Sequence, residues 1–137
     1  MKFSTRGRYA IRILLDIAMH QEKGYVAMKD IARRQQISKK YSDQIGMQLS
    51  QAGILLAARG RQGGYRLIPA AKDITVLQIL KTMEGSLAPV SCLAGKEINC
   101  PRAPYCETLP FWSEFDSLVS DFLYGKKLSD LLQDKQE

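Results

Sequence analysis

Three segments with apolar residues at helical spacing precede a basic, glycine-rich stretch, Arg59-Gly60-Arg61-Gln62-Gly63-Gly64. That order leaves few folds open. Tyr9, Ile13 and Ile17, with Ala10, Leu14 and Ala18, recur at the helical period, so a first helix is expected from a Ser4 or Thr5 cap to about Gln21, with Gly24 just beyond it. Met28 to Gln35, with Ile31 and Ala32, reads as a short second helix. Gln36, Ile37 and Ser38 make the turn, and Ser38 is a good N-cap for a third helix closed by Gly53. Tyr41, Ile45 and Leu49 share one face of that helix and are expected in the core. Lys39, Lys40, Ser42, Asp43, Gln44 and Met47 are expected on the opposite face. Residues 54–58 and 65–68 then read as two strands joined by the glycine-rich tip. The expected fold is mostly α with a small β wing, a winged helix-turn-helix.

The charge distribution supports a nucleic-acid partner. The formal net charge is +6, yet residues 1–72 hold 14 Lys/Arg against 4 Asp/Glu, while residues 73–137 hold 6 against 10. Basic charge thus gathers in the half that carries the helix-turn-helix. Lys39, Lys40 and Arg8 are expected to neutralise phosphates of double-stranded DNA, which adds affinity without reading sequence. Gln44 has the donor and acceptor to pair with adenine, and Asp43 can accept from cytosine. Arg59 and Arg61 in the wing suit a narrow minor groove. The glycines of the tip serve close approach to DNA or simply an ordinary hairpin turn. They do not form a phosphate-cradling P-loop, because the terminal Gly-Lys-Ser/Thr is missing and a strand, not a helix, follows.

Beyond the wing, Thr75 is expected to cap a fourth helix of Val76, Leu77, Ile79, Leu80 and Met83, stopped by Gly85. From Pro110 a long helix shows Phe111, Phe115, Leu118, Val119 and Phe122 on one stripe, with Trp112 beside it, and Gly125 ends it. Leu128 to Leu132 reads as a short coda. The winged helix already has a core from residues 9–80, so the aromatic stripe calls for a partner, most simply a second copy. The division expected is 1–85 for DNA binding, 86–109 for a cysteine loop, and 110–137 for a dimerisation helix and tail.

The loop holds Cys92, Cys100 and Cys106, spaced C-x7-C-x5-C, without the paired CxxC knuckles of structural zinc sites. Three soft ligands on a wrapped loop suit an iron-sulfur cluster, and Lys96 and Arg102 between them favour thiolates; free thiols are the alternative. No signal peptide is read, because Arg12 and Asp16 interrupt the apolar stretch, and no run approaches the ~18 to 20 apolar residues of a membrane span. A cytoplasmic protein without membrane attachment is expected, with its thiols reduced. An enzyme is disfavoured: His20 is the single histidine, and no nucleophile-base pair or cofactor fingerprint is evident. His20 itself suits a helix-terminal surface role.

Taken in order, Lys2-Phe3-Ser4-Thr5-Arg6-Gly7-Arg8-Tyr9-Ala10, the third helix, the Arg59 to Tyr65 wing, the cysteine loop and Cys106-Glu107-Thr108-Leu109-Pro110-Phe111-Trp112 resemble the bacterial winged helix-turn-helix iron-sulfur regulators of the IscR-like family. The resemblance implies a homodimer crossed by the long helix and a 2Fe-2S or 4Fe-4S cluster on Cys92, Cys100 and Cys106. It also implies DNA recognition by residues 38–50, Ser38 included, and control of cluster-assembly, iron or stress genes. Two positions depart from that pattern. Leu109 stands where the cluster-assembly regulators have a histidine, and Arg8 where the nitric-oxide sensors have an acidic residue. Glu107 is the adjacent carboxylate. The alternative within the resemblance is the cysteine-metabolism branch, whose repressors work through a bound enzyme and lack this cysteine set.

Overall fold

The structure, a computed structural model, describes residues 3–134; Lys2 of the N-terminal motif and residues 135–137 of the tail lie outside the described residues. Helix α1 (Thr5–His20) starts where Ser4 adopts an extended backbone and its hydroxyl accepts from the Gly7 amide at 3.1 Å. Ala10, Ile13, Leu14 and Ile17 on its inner face are fully buried. Helices α2 (Met28–Gln35) and α3 (Lys39–Gln51) follow. Between them Gln36 takes a left-handed conformation (φ 58°, ψ 44°), and the Ile37 amide donates back to the Ala32 carbonyl at 3.0 Å, which turns the chain sharply into α3. Ser38 caps α3 by accepting from the Tyr41 amide at 3.1 Å.

Ile45 and Leu49 are fully buried and Tyr41 partly so, as the apolar spacing requires. Ser42 departs from expectation. It is fully buried and its hydroxyl has no hydrogen-bond partner among the described residues. The reason is helical geometry: Ser42 lies three and seven residues before Ile45 and Leu49, so it shares their face.

Strands β1 (Leu55–Ala58) and β2 (Gly64–Leu67) pair antiparallel, Leu55 opposite Leu67 and Ala58 opposite Gly64. Val26 adds an antiparallel bridge to β2 by exchanging backbone hydrogen bonds with Tyr65 at 2.8 and 2.9 Å. That contact needs Gly64, whose φ is +143° and where a Cβ would collide with the Val26 carbonyl. At Gly63 a Cβ would collide with the Ala58 carbonyl. These two glycines are therefore required by the hairpin itself.

Helix α4 (Val76–Glu84), capped by Thr75, packs against α1. After the cysteine loop, α5 (Leu109–Tyr124) returns to α4, with Val119 and Leu123 against Val76 and Leu80. Val119 thus faces inward rather than sharing the aromatic stripe. The coda is also more than an appendage. Helix α6 (Leu128–Asp134) packs on α1, Leu128 is 1% exposed in the main core, and its amide donates to the Ile74 carbonyl at 2.9 Å.

A buried charge fixes the angle between α1 and α2. Asp16 is 2% exposed and receives Arg34 Nε and Nη2 on its carboxylate, the shortest contact being 2.6 Å, together with Gln35 Nε2 at 2.9 Å. Burial alone pushes the Asp16 carboxyl up, but the hydrogen bonds from Arg34 and Gln35 and the Arg34 charge outweigh it, so the group titrates below its ordinary value. His20 Nδ1 stands 2.8 Å from the Asp16 carbonyl and 3.5 Å from its carboxylate. Removing one partner of such a pair leaves a desolvated charge. Arg34→Ala is predicted to lower unfolding free energy by about 3 kcal/mol at neutral pH in urea melts. Because the folded carboxyl titrates low, this contribution is fully present above about pH 4 and fades as pH falls through the lower folded value. Wild-type and variant stabilities should therefore converge in acid, whereas a constant difference between neutral pH and about pH 3 would contradict the assignment.

Candidate functional site

The solvent face of α3 presents Ser38, Lys39, Lys40 and Gln44, all exposed, with Met47 beside them. Asp43, half-buried, accepts from Lys39 Nζ at 2.9 Å. That pair is exposed and worth at most about 1 kcal/mol, so both groups can exchange it for phosphates or bases at little cost. Arg59 and Arg61 flank the exposed tip of the wing, and among the described residues neither forms an ion pair. Arg8 is exposed on the first turns of α1, with Nη2 3.4 Å from Thr5 Oγ1.

These elements are tied together by contacts that sequence reasoning missed. Gly46 leaves room for the wing: a Cβ there would stand 3.1 Å from the Tyr65 ring and 2.6 Å from Met28 Cε. Tyr65 is pushed above its ordinary value by burial and by the nearby Asp43 carboxylate, so β2 and the solvent face of α3 share one electrostatic environment. On the other side, Tyr9 of α1 meets Tyr41 of α3 edge to face at 5.8 Å, and the Arg12 guanidinium covers the Tyr9 ring at 5.0 Å. Arg12 also donates to Gln35 through its side chain (3.2 Å) and backbone carbonyl. The signal was present only as isolated aromatic and basic residues; their pairing spans more than a helix length of sequence.

The cysteine loop consists of irregular chain and two short 3-10 turns, Ser91–Leu93 and Ala103–Tyr105. Cys92, Cys100 and Cys106 form no disulfide, and each is partly exposed. The Thr108 hydroxyl lies 3.4 Å from Cys106 Sγ; its hydrogen bond, backbone amides at Thr108 and Leu109, and the Arg102 charge hold this thiol below its ordinary value. Among the described residues no three His, Cys, Asp or Glu side chains converge into a metal site. The donor chemistry nonetheless fits iron: three partly exposed thiols sit on one segment of irregular chain and short 3-10 turns. Glu107 is exposed on the same loop and Leu109 opens α5.

A family model described as Rrf2, iron-dependent transcriptional regulator, matches residues 3–134. The chain is 41% identical over 136 residues to protein rrf2 of Nitratidesulfovibrio vulgaris (strain Hildenborough), covering 98% of this chain and 89% of that one. It is 36% identical over 136 residues to the HTH-type transcriptional regulator IscR of Aliivibrio salmonicida, covering 99% and 80%. Among solved structures it is similar to IscR of T. potens (TM-score 0.77, 32% identity, 98% and 88% covered). It is equally similar to CymR, the global cysteine regulator of B. subtilis (TM-score 0.77, 28% identity, 97% of each chain). The family model and the IscR relative both carry the description of a transcriptional regulator, and the winged-helix architecture expected from the sequence is the one observed. No helix among the described residues is long and apolar enough to cross a membrane.

The lowered Cys106 thiol makes a direct test. Thr108→Val should slow alkylation of Cys106 by iodoacetamide near neutral pH several-fold, measured by peptide mass spectrometry, because less of the thiol is ionised without the hydroxyl. An unchanged rate would show that the Thr108 hydroxyl does not tune this sulfur.

Proposed function

We propose, on the premise that this chain belongs to the Rrf2 family of transcriptional regulators, that it binds double-stranded operator DNA as a homodimer. In this reading an iron-sulfur cluster on Cys92, Cys100 and Cys106 modulates that binding. The observation that carries it is the continuity of two features on one frame: an exposed basic reader on α3 and the wing, and a three-thiol loop between α4 and α5. Residues 1–85 act as the reader, 86–109 as the cluster loop and 110–137 as the dimer-forming segment.

In the reader, Lys39, Lys40 and Arg8 neutralise phosphates, Gln44 and Asp43 address base edges, Ser38 presents the start of α3, and Arg59 and Arg61 enter the minor groove. The Lys39–Asp43 pair opens for this, at little cost given its exposure. The case for a dimer is the outer face of α5, where Phe111, Leu118 and Phe122 are 60%, 68% and 62% exposed. Large apolar side chains gathered on one exposed helix face support an interface there, and two-fold pairing would present two readers to a pseudo-palindromic site.

In the loop, Cys92, Cys100 and Cys106 would hold the cluster, of 2Fe-2S or 4Fe-4S type, and would have to draw together to do so. The cluster supplies sensitivity to iron, oxidants or nitric oxide. The chain's own part is to keep the three thiols reachable, with Thr108 and Arg102 favouring the thiolate at Cys106. IscR relatives favour this reading. The likeness to CymR, together with thiols that do not converge, favours a second one, a cysteine-metabolism type repressor that acts through a partner enzyme without a cluster.

Two measurements test the proposal. Absorbance between about 320 and 450 nm of anaerobically purified protein, lost on substituting any one of the three cysteines, is expected for the cluster reading; a colourless protein with intact operator binding favours the second. In operator titrations Lys40→Ala should weaken binding to all sequences and lower the salt slope by about one, while Gln44→Ala should cost about 1–3 kcal/mol and relax one base position. Equal affinity for operator and random duplex would overturn the reader assignment.

A further inference from the structure

Away from the reader face and the outer face of α5, a cavity of about 420 Å³ opens between the last turn of α4, the loop at Gly85 to Ala88, the segment Leu93 to Lys96 and one side of α5. Its volume lies within the range of small-molecule sites. Leu87 and Leu93 give it apolar walls, and Ser120 supplies a hydroxyl. Three charges line it: Lys81 from α4, Lys96 from the loop and Asp116 from α5. Among the described residues none of the three forms an ion pair, although both signs face the same space. Asp116 and Ser120 are four residues apart on α5, hence on one side of that helix, while Lys81 stands on the last turn of α4 just ahead of Gly85.

We propose that this cavity binds an acidic α-amino acid, of the aspartate or glutamate class. Two cations and one anion are the complement of a molecule with two carboxylates and one ammonium group. Lys81 and Lys96 take the carboxylates and Asp116 takes the ammonium, with Ser120 as a further hydrogen-bonding group. A simple anion would leave Asp116 opposing it, and a neutral amino acid would leave one lysine unmatched. Leu93 to Lys96 follow Cys92 directly, so an occupied cavity ties the start of the cysteine loop to α4 and α5. The proposal needs neither the cluster nor DNA.

Isothermal titration of the full-length protein with L-glutamate, L-aspartate and glutarate tests it. Saturable binding of at least one of the two amino acids is expected in the millimolar range or tighter. Glutarate, which lacks the ammonium, should bind at least about tenfold more weakly than L-glutamate if glutamate is the ligand. Asp116→Asn and Lys81→Gln should each cost about tenfold against the amino acid that binds. Lys81 is exposed and Asp116 only partly buried, and neither forms an ion pair among the described residues, so thermal melts of both variants should stay close to wild type; the glutarate comparison probes the ammonium contact without any substitution. No saturable heat with either amino acid up to about 10 mM, glutarate binding as tightly as glutamate, or affinity unchanged in both variants would overturn it.

Discussion

Asp16 carries a charge at a position almost closed to water, and it is tolerable there because Arg34 and Gln35 meet the carboxylate with four hydrogen bonds. Those partners sit in the last turn of α2, immediately before the left-handed Gln36 that turns the chain into α3. Whatever fixes the end of α2 against α1 therefore fixes where α3 begins. Arg12 extends the same arrangement, bonding Gln35 on one side and stacking on Tyr9 on the other, while Tyr9 meets Tyr41 of α3. A hydrophobic core alone permits several helix angles; a charge that must be met at hydrogen-bond distance permits few.

The wing obeys a parallel constraint through backbone contact. Val26, just ahead of α2, pairs with Tyr65 only because Gly64 lets the two backbones approach, and Tyr65 in turn packs over Gly46 of α3. Reader helix and wing are thus held as one unit, as a protein needs if it is to engage a groove and the neighbouring backbone together. The opposite end of the molecule is built otherwise. The cysteine loop has only short 3-10 turns, and α5 is anchored to α4 through Val119 and Leu123 while its aromatic face stays exposed. A tightly bonded winged helix next to a loop with only short 3-10 turns is an arrangement in which, in the proposed dimer, ordering the loop can change the relation between the two copies.

Much of this was legible in the sequence, for local reasons. Ser38 and Thr75 cap their helices as read, because N-capping depends on residues three positions away. The cysteine spacing and the basic first half were equally plain. Ser42 was misplaced although its helical position relative to Ile45 and Leu49 was available; polarity outweighed periodicity in the reading. The Asp16 clamp was not legible, because its partners lie 18 and 19 residues away and only the packing angle brings them together. The core role of Leu128 depends likewise on a long-range backbone bond to Ile74. Among the candidate site residues, the three thiols are plain in the sequence, whereas their not converging into a metal site is a property of the loop's path.

The coupling between loop and reader is decided by one comparison. Operator affinity is measured anaerobically for the wild-type protein, purified so as to keep any bound iron, and for a variant with Cys92, Cys100 and Cys106 all replaced by serine. A difference of at least several-fold at fixed salt is expected, since the loop joins the winged helix to α5, the helix proposed to pair two protomers. Identical affinities across several candidate promoters would contradict the account, leaving the three thiols without a role in DNA binding.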